Sequence, residues 1–338
     1  MPYDNAAARD LLVQLLRRPR RAVLLVGSGI SIPVGYPSWG QLITELRNRV
    51  VPELLTFPDE NLLSRASLIR TTLEQYPDRV DRRRLYEQYL SERFRPRTPS
   101  HALVHRTLIQ LPFCGLVTTN YDPSIESAAT YVWMNNGEDR QCGTVDLCSS
   151  APHFVFRFLR DLAGGSQPSS VLHAHGFWNR PDQLVLTRED YEYRYGLRRE
   201  PAEEPPAIAG VARPLFNIHR KMIWSLLTMY PVVFVGFSVD DPAFQLLLEF
   251  VHEDFELAPY PPAHFALLGA TDEDERDQIA QRLRPYSVMP VFYQVVTDPA
   301  GRPDHSALST LIEELAAAVG VVAATPPLGT LTERLMER

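Results

Sequence analysis

The chain has 338 residues, is 45% hydrophobic and 22% charged, and carries a formal net charge of −7. That is the composition of a folded chain large enough for one large domain or two modest ones. It has no apolar run near the roughly 18 residues a membrane span needs, and its acidic balance argues against nucleic acid as a whole-molecule partner.

In chain order, the opening "MPYDNAAARDLLVQLL" lacks a basic leader followed by a long apolar core. It reads as an amphipathic helix with Leu11, Leu12, Leu15 and Leu16 on one side. A first apolar strand, Ala22–Val26, breaks into Gly27-Ser28-Gly29-Ile30-Ser31. Residues 38–112 are helical in pattern and form an expected all-helical inserted lobe, with a capping box at Ser38 and Gln41. The second strand, Cys114–Thr118, runs into Thr119-Asn120-Tyr121-Asp122, and Asn135–Ser150 reads as an irregular polar loop. The third strand, Val171–His175, ends on His173-Ala174-His175-Gly176. Glu200–Pro214 is a proline-rich loop, and the fourth strand, Pro231–Val235, ends on Gly236-Phe237-Ser238-Val239-Asp240-Asp241. Strands His264–Leu268 and Val288–Val295 follow. Residues 1–320 read as one domain, and 321–338 as a tail with the pattern of a docking or solvated helix. Strands alternating with helices predict an α/β fold: a Rossmann-like parallel sheet flanked by helices, carrying the small helical lobe. Such sheets bind ligands beyond the carboxyl ends of their strands.

Cys114, Cys142 and Cys148 are the only cysteines, odd in number and without Cys-x-x-Cys spacing. Neither a disulfide framework nor a four-thiolate zinc site is expected, and a reducing cytoplasm is the expected compartment. Lys221 is the sole lysine, so the glycine loop has no phosphate-gripping lysine and P-loop chemistry loses its central residue. Small residues in that loop let backbone N–H groups approach an anion; the same residues also serve as a tight strand-to-helix turn. Asn120 offers one donor and one acceptor to a water or a ribose hydroxyl, while "NYDPSIE" equally reads as a helix start capped by Asp122. His175, at a strand end beside a glycine, is the general-base candidate, and His173, one step deeper, reads as a structural imidazole. No carboxylate or thiol at matching spacing completes a His-x-His metal site, so no metal is expected. Gly236-x-Ser238-x-Asp240 is not a nucleophile elbow; it offers close backbone approach and a hydroxyl. The arginine clusters at 17–21 and 79–84 read as solvated faces.

Taken together, "GSGISIPVGYPSW", "TTNYD", "HAHG" and "GFS" resemble, in order and rough spacing, the motifs of the sirtuin-like family. "LVLTREDYEYRY" and "GFSVDDPAF" are similar to its bacterial subgroup found in antiphage defence. The resemblance spans roughly Ala22 to Leu268. It implies NAD as ligand, with Gly27, Ser28, Gly29, Ile30 and Ser31 at the phosphates and Asn120 and Asp122 at the nicotinamide ribose. It further implies His175 as base, Gly236 and Ser238 on the adenosine side, and Trp39 shielding a face of the nicotinamide. The family's paired Cys-x-x-Cys zinc module is absent from this sequence, and Ser38-Trp39-Gly40 stands where the family has Asp-Phe-Arg. These departures turn the expectation from protein deacylation toward NAD hydrolysis giving nicotinamide and ADP-ribose. The resemblance also implies regulation by homo-oligomer assembly or by a separate partner such as a HerA-like ATPase or an Argonaute-like protein. An NAD-dependent deacylase and a non-catalytic NAD- or ADP-ribose-sensing module are the alternatives.

Overall fold

The computed structural model describes residues 2–18, 21–54, 56–57, 61–165, 167–195, 218–238, 245, 248–249, 264–297 and 303–321. The expected loop at 200–214, Asp240 and Asp241, and the tail beyond 321 lie outside the described residues.

Seven strands form one sheet: β1 (Val23–Val26), β2 (Gly115–Thr118), β3 (Gly143–Asp146), β4 (Ser170–His173), β5 (Val232–Val235), β6 (His264–Ala270) and β7 (Val288–Gln294). Their order is β3-β4-β2-β1-β5-β6-β7, and every neighbouring pair is parallel. β1 and β5 are buried along their whole length, the pattern of strands covered on both faces. A short antiparallel pair, β8 (Val296–Thr297) with β9 (Pro303–Asp304), stands apart from this sheet.

Alternating strand side chains feed two apolar layers. On one face Leu24, Val26, Leu116 and Val233 meet α1 (Asn5–Leu16), α5 (Leu103–Gln110), α6 (Ser124–Asn135) and the helix Ala307–Ala318. On the other, Val23, Leu25, Val117 and Phe234 meet α7 (Pro152–Ala163), α8 (Arg188–Tyr195) and α9 (Ile218–Met229). A third core belongs to α2 (Trp39–Val50), α3 (Leu62–Gln75) and α4 (Arg79–Phe94), where Leu42, Leu46, Ile69, Leu90 and Phe94 close around Tyr36 and Tyr121. The helix α2 starts on the expected capping box: Ser38 Oγ accepts from the Gln41 N–H at 3.3 Å, and Gln41 Oε1 accepts from the Ser38 N–H at 2.9 Å.

The register sets up the site. Val26 pairs with both Thr118 and Val235, and Thr118 pairs with His173. Four strands therefore end level, and the residues after them start from one line. The order reverses between β1, whose connection runs to β2, and β5, whose connection runs to β6; a crevice forms at such a switch.

Four sequence expectations change. Residues 135–150 are not wholly irregular, because Gly143–Asp146 forms the edge strand β3. That strand has only four residues and buries only Val145 and Asp146, too little apolar pattern to read. In α1 the buried stripe is Ala8, Leu12, Val13 and Leu16, and Leu11 is 45% exposed. The third strand stops at His173, so His173 and His175 do not share a strand face. Finally, α5 puts Val104 and Leu108 against the sheet's own layer rather than into the core of α2–α4.

Candidate functional site

Three glycines bring two strand ends into backbone contact. The Gly27 N–H continues the ladder to the Val235 carbonyl at 2.8 Å, and the Gly29 N–H donates to the Gly236 carbonyl at 2.9 Å. A Cβ on Gly27 or Gly29 would lie 2.7 or 2.9 Å from that carbonyl oxygen. Gly236 has φ +79°, and a Cβ there would come within 2.8 Å of the Gly27 carbonyl oxygen. Only glycine meets both the left-handed backbone and the approach. The loop's remaining N–H groups largely turn inward, Ile30 to Gly27 and Ser31 to Ser28. Among the described residues the Ser28 N–H has no protein partner.

Asn120 follows β2 and is held at nearly every polar atom. Its N–H donates to Thr118 Oγ1 at 3.0 Å, and Thr118 Oγ1 donates onward to the Val26 carbonyl at 2.9 Å. Its Nδ2 donates to the Gly27 carbonyl and to Ser31 Oγ, both at 3.0 Å. Its own carbonyl accepts from His173 Nδ1 at 2.7 Å. Asn120 Oδ1 is buried and alone lacks a partner.

His175 lies past β4, 3% exposed. Its Nδ1 is 3.4 Å from the Tyr191 hydroxyl, and the Tyr191 and Tyr195 rings of α8 stand edge-on to it at 5.1 and 6.0 Å. His175 Nε2 is buried without a partner. Burial pushes its pKa down to about 3, so the imidazole is neutral at physiological pH. Asp122 is 2% exposed, and burial raises its carboxyl to about 6, against hydrogen bonds from Ser31 and Ser124 and the nearby His173. Its Oδ1 accepts from the Ser124 N–H at 3.0 Å and from Ser124 Oγ; a helix does start here, with Pro123 at its N-cap and Asp122 one residue earlier than the cap expected of it.

Two adjoining spaces run over these strand ends. The smaller one is lined by Ser28, Ser31, Asn120, Asp122 and His175, with Tyr36, Trp39, Phe94, Tyr121 and Tyr191 as its aromatic wall. The outer groove runs past Gly29, Ile30, Gly236 and Ser238 toward Gln278, Arg282 and His305. Ser28 and Trp39 line both. The residues expected at the ligand thus border one of the two spaces except Gly27, which is buried as the contact point of the loop. Of the aromatic wall only Trp39 was singled out from the sequence, although Tyr191 sits inside "LVLTREDYEYRY". The Glu126 partner of His173 was also missed: it falls on a helix, where a carboxylate gives no signal of burial.

Two adjoining spaces, one lined by two residues with orphaned buried polar atoms and both beside a glycine turn at the sheet's switch point, suit an elongated polar ligand. A family model described as a SIR2-like domain matches residues 115–288, just over half of the chain. The chain belongs to the SIR2-like family. This SIR2-like chain is 24% identical over 245 residues to the NAD(+) hydrolase ThsA of Bacillus cereus (strain MSX-D12), covering 70% of this chain and 40% of that protein. It is 25% identical over 256 residues to the NAD(+) hydrolase ThsA of Acinetobacter baumannii (strain 532279), covering 75% and 44%. The SIR2-like chain therefore spans less than half the length of these relatives. Among solved structures, it is similar to a Sir2 homologue–NAD complex with a TM-score of 0.41 and 14% identity, covering 92% of this chain and 94% of that one.

Among the described residues, no three His, Cys, Asp or Glu side chains converge as a metal site, and no helix is long and apolar enough to cross a membrane.

Proposed function

We propose that this SIR2-like chain is an NAD hydrolase that cleaves the nicotinamide–ribose bond to give nicotinamide and ADP-ribose. The observation that carries the reading is the pair of buried, unpartnered atoms, Asn120 Oδ1 and His175 Nε2, on one pocket. The relatives named as NAD(+) hydrolases support it.

In this reading the Ser28 N–H and the glycine turn take the pyrophosphate, and the groove beside Gly236 and Ser238 takes the adenosine. The nicotinamide riboside end enters the smaller pocket, beside Asn120 and His175 and against Trp39. Nicotinamide is already cationic in NAD, so the C–N bond can break without a general acid, through an oxocarbenium-like transition state. Asn120 Oδ1 accepts a hydrogen bond from the attacking water or a ribose hydroxyl. With its Nδ1–H directed to the Tyr191 oxygen, His175 presents a lone pair at Nε2 and receives the water's proton as its oxygen bonds to the anomeric carbon. Burial keeps His175 in the base form.

The same reading makes the protein an effector of bacterial antiphage defence that depletes NAD, held inactive until oligomer assembly or a separate partner polypeptide releases it. Nicotinamide release measured with and without an acyl-lysine peptide tests the reaction class. Release from NAD alone is expected; release that requires the peptide would turn the reading to a deacylase, and binding without turnover in every assembly state to a sensor.

A further inference from the structure

Beneath Asn120 lies a second histidine that the chemistry above does not use. His173 is fully buried at the end of β4. Its Nδ1 is 2.7 Å from the Asn120 main-chain oxygen, and its Nε2 is 2.6 Å from Glu126 Oε1. A peptide carbonyl only accepts, so Nδ1 carries the proton and the ring's orientation is decided. That leaves Nε2 to the Glu126 carboxyl group, whose Oε1 also accepts from Thr144 Oγ1 at 2.9 Å. The chain of contacts runs from β3 through α6 and β4 to the segment after β2, and ends on the main chain of the one residue whose side chain presents an unpartnered oxygen to the pocket.

A buried ionic pair is a poor device for stability alone, since desolvation offsets most of the attraction and apolar residues of similar volume often do as well. Its geometric product here is specific: with Thr118, Gly27 and Ser31, it removes the freedom of Asn120 to shift or flip. We propose that His173 and Glu126 form a positioning pair that fixes the Asn120 main chain and so aims Asn120 Oδ1 at the reacting ribose. The inference rests on the hydrolase reading for its rate effect and on the ring contacts for its geometry. Neither residue touches the ligand in this arrangement; both act through Asn120.

Removing one partner strands the other in the interior, so single deletions risk unfolding. The test uses the full chain carrying Glu126→Gln and the double variant His173→Leu/Glu126→Leu. Glutamine keeps a hydrogen-bond partner at Nε2 and leaves Nδ1–H on the Asn120 carbonyl, so Glu126→Gln should retain kcat within about threefold. The double variant keeps an apolar, filled interior; a displacement of about 1 Å at a reacting group costs on the order of 100-fold, so its kcat should fall by about that much. Its KM for NAD and Kd for ADP-ribose should stay within about threefold. A folded double variant with wild-type kcat overturns the proposal, as does a parallel loss of kcat and ADP-ribose affinity. The second readout is the ¹⁵N signal of the His173 ring in the wild-type protein. A protonated, hydrogen-bonded Nδ1 supports the pair, and an unprotonated Nδ1 overturns it. Wild-type protein inert toward NAD in every assembly state would end the hydrolase reading, and the ring signal then decides the pair's geometry by itself.

Discussion

Asn120 Nδ2 donates to the Gly27 carbonyl at 3.0 Å, and this bond ties the end of β2 to the turn that follows β1. It couples the two ends of the proposed ligand site, because the residue that would orient the ribose also holds the loop that would receive the pyrophosphate. Asn120→Ala should therefore lower kcat by about 10²–10⁴-fold, the range for loss of a positioned catalytic group. It should also destabilise by about 1 kcal/mol through the buried hydrogen bonds lost to the Gly27 carbonyl and Ser31 Oγ. Asn120→Asp should be worse for stability, because an acceptor would then face the same carbonyl. Steady-state nicotinamide release and denaturant midpoints check both.

Gly236 joins a close approach to a left-handed backbone. Alanine there faces a φ of +79° and a Cβ 2.8 Å from both the Gly27 carbonyl oxygen and Ile30 Cγ1. Gly236→Ala should cost about 1–3 kcal/mol from backbone strain. It should also weaken ADP-ribose binding, since the Gly27–Ile30 turn must move. Calorimetric titration with ADP-ribose and thermal melting should shift together.

His175 should behave in the opposite way. Among the described residues its ring has one hydrogen-bond contact, a long one of 3.4 Å to the Tyr191 hydroxyl, so replacement removes little polar interaction. His175→Gln should lower kcat by about 10²–10⁴-fold and leave the melting temperature near that of the wild type. Equal losses of activity and stability would assign the residue to packing.

Acid should destabilise the fold. His105, His175 and His219 are pushed down to about 3 by burial, and His264 to about 4. Two of them have structural reasons to stay neutral: His105 Nδ1 accepts from the Ala102 N–H, and His264 Nδ1 from the Val232 N–H. The unfolded chain takes up protons at these histidines below about 6.5 while the folded chain does not, so stability falls as pH drops from there toward 3. Two buried groups oppose this. Asp122, raised to about 6, protonates first in the folded state, so its contribution grows as pH falls through that value. His173 is raised despite its burial by the Glu126 carboxylate and its hydrogen bonds, and its contribution is present in acid and lost as pH rises through its folded value. Four groups outweigh two, so denaturation midpoints should fall steadily between pH 6.5 and 4; a flat profile would contradict the assignment of neutral buried imidazoles.

Much of this architecture was legible in the sequence because the central strands are apolar runs that end in glycine or polar residues. β1 and β5 read correctly for that reason, and the strand-end motifs located the cleft. The small edge strand β3 was not legible: two of its four residues are exposed, and its pairing to β4 depends on a partner distant in the chain. The place of α5 was hidden as well, since its apolar face fits equally well in a helical lobe or under a sheet, and only the fold decides. In the site, the polar residues were readable as types, but their orientation was not. The sequence offered Asn120 and His175 as candidates; that Asn120 Oδ1 and His175 Nε2 are the atoms left over follows from contacts with Gly27, Ser31, His173 and Tyr191 that no spacing encodes.

The most direct measurement is chromatography of the nucleotide products after incubating the purified full chain with NAD, alone and with its candidate activating partner, beside Asn120→Ala and His175→Gln. The account predicts nicotinamide and ADP-ribose in equal amounts from the wild-type protein without any acyl-lysine peptide, and at least about 100-fold less from either variant. Intact NAD under every condition, or undiminished products from folded variants, would contradict it.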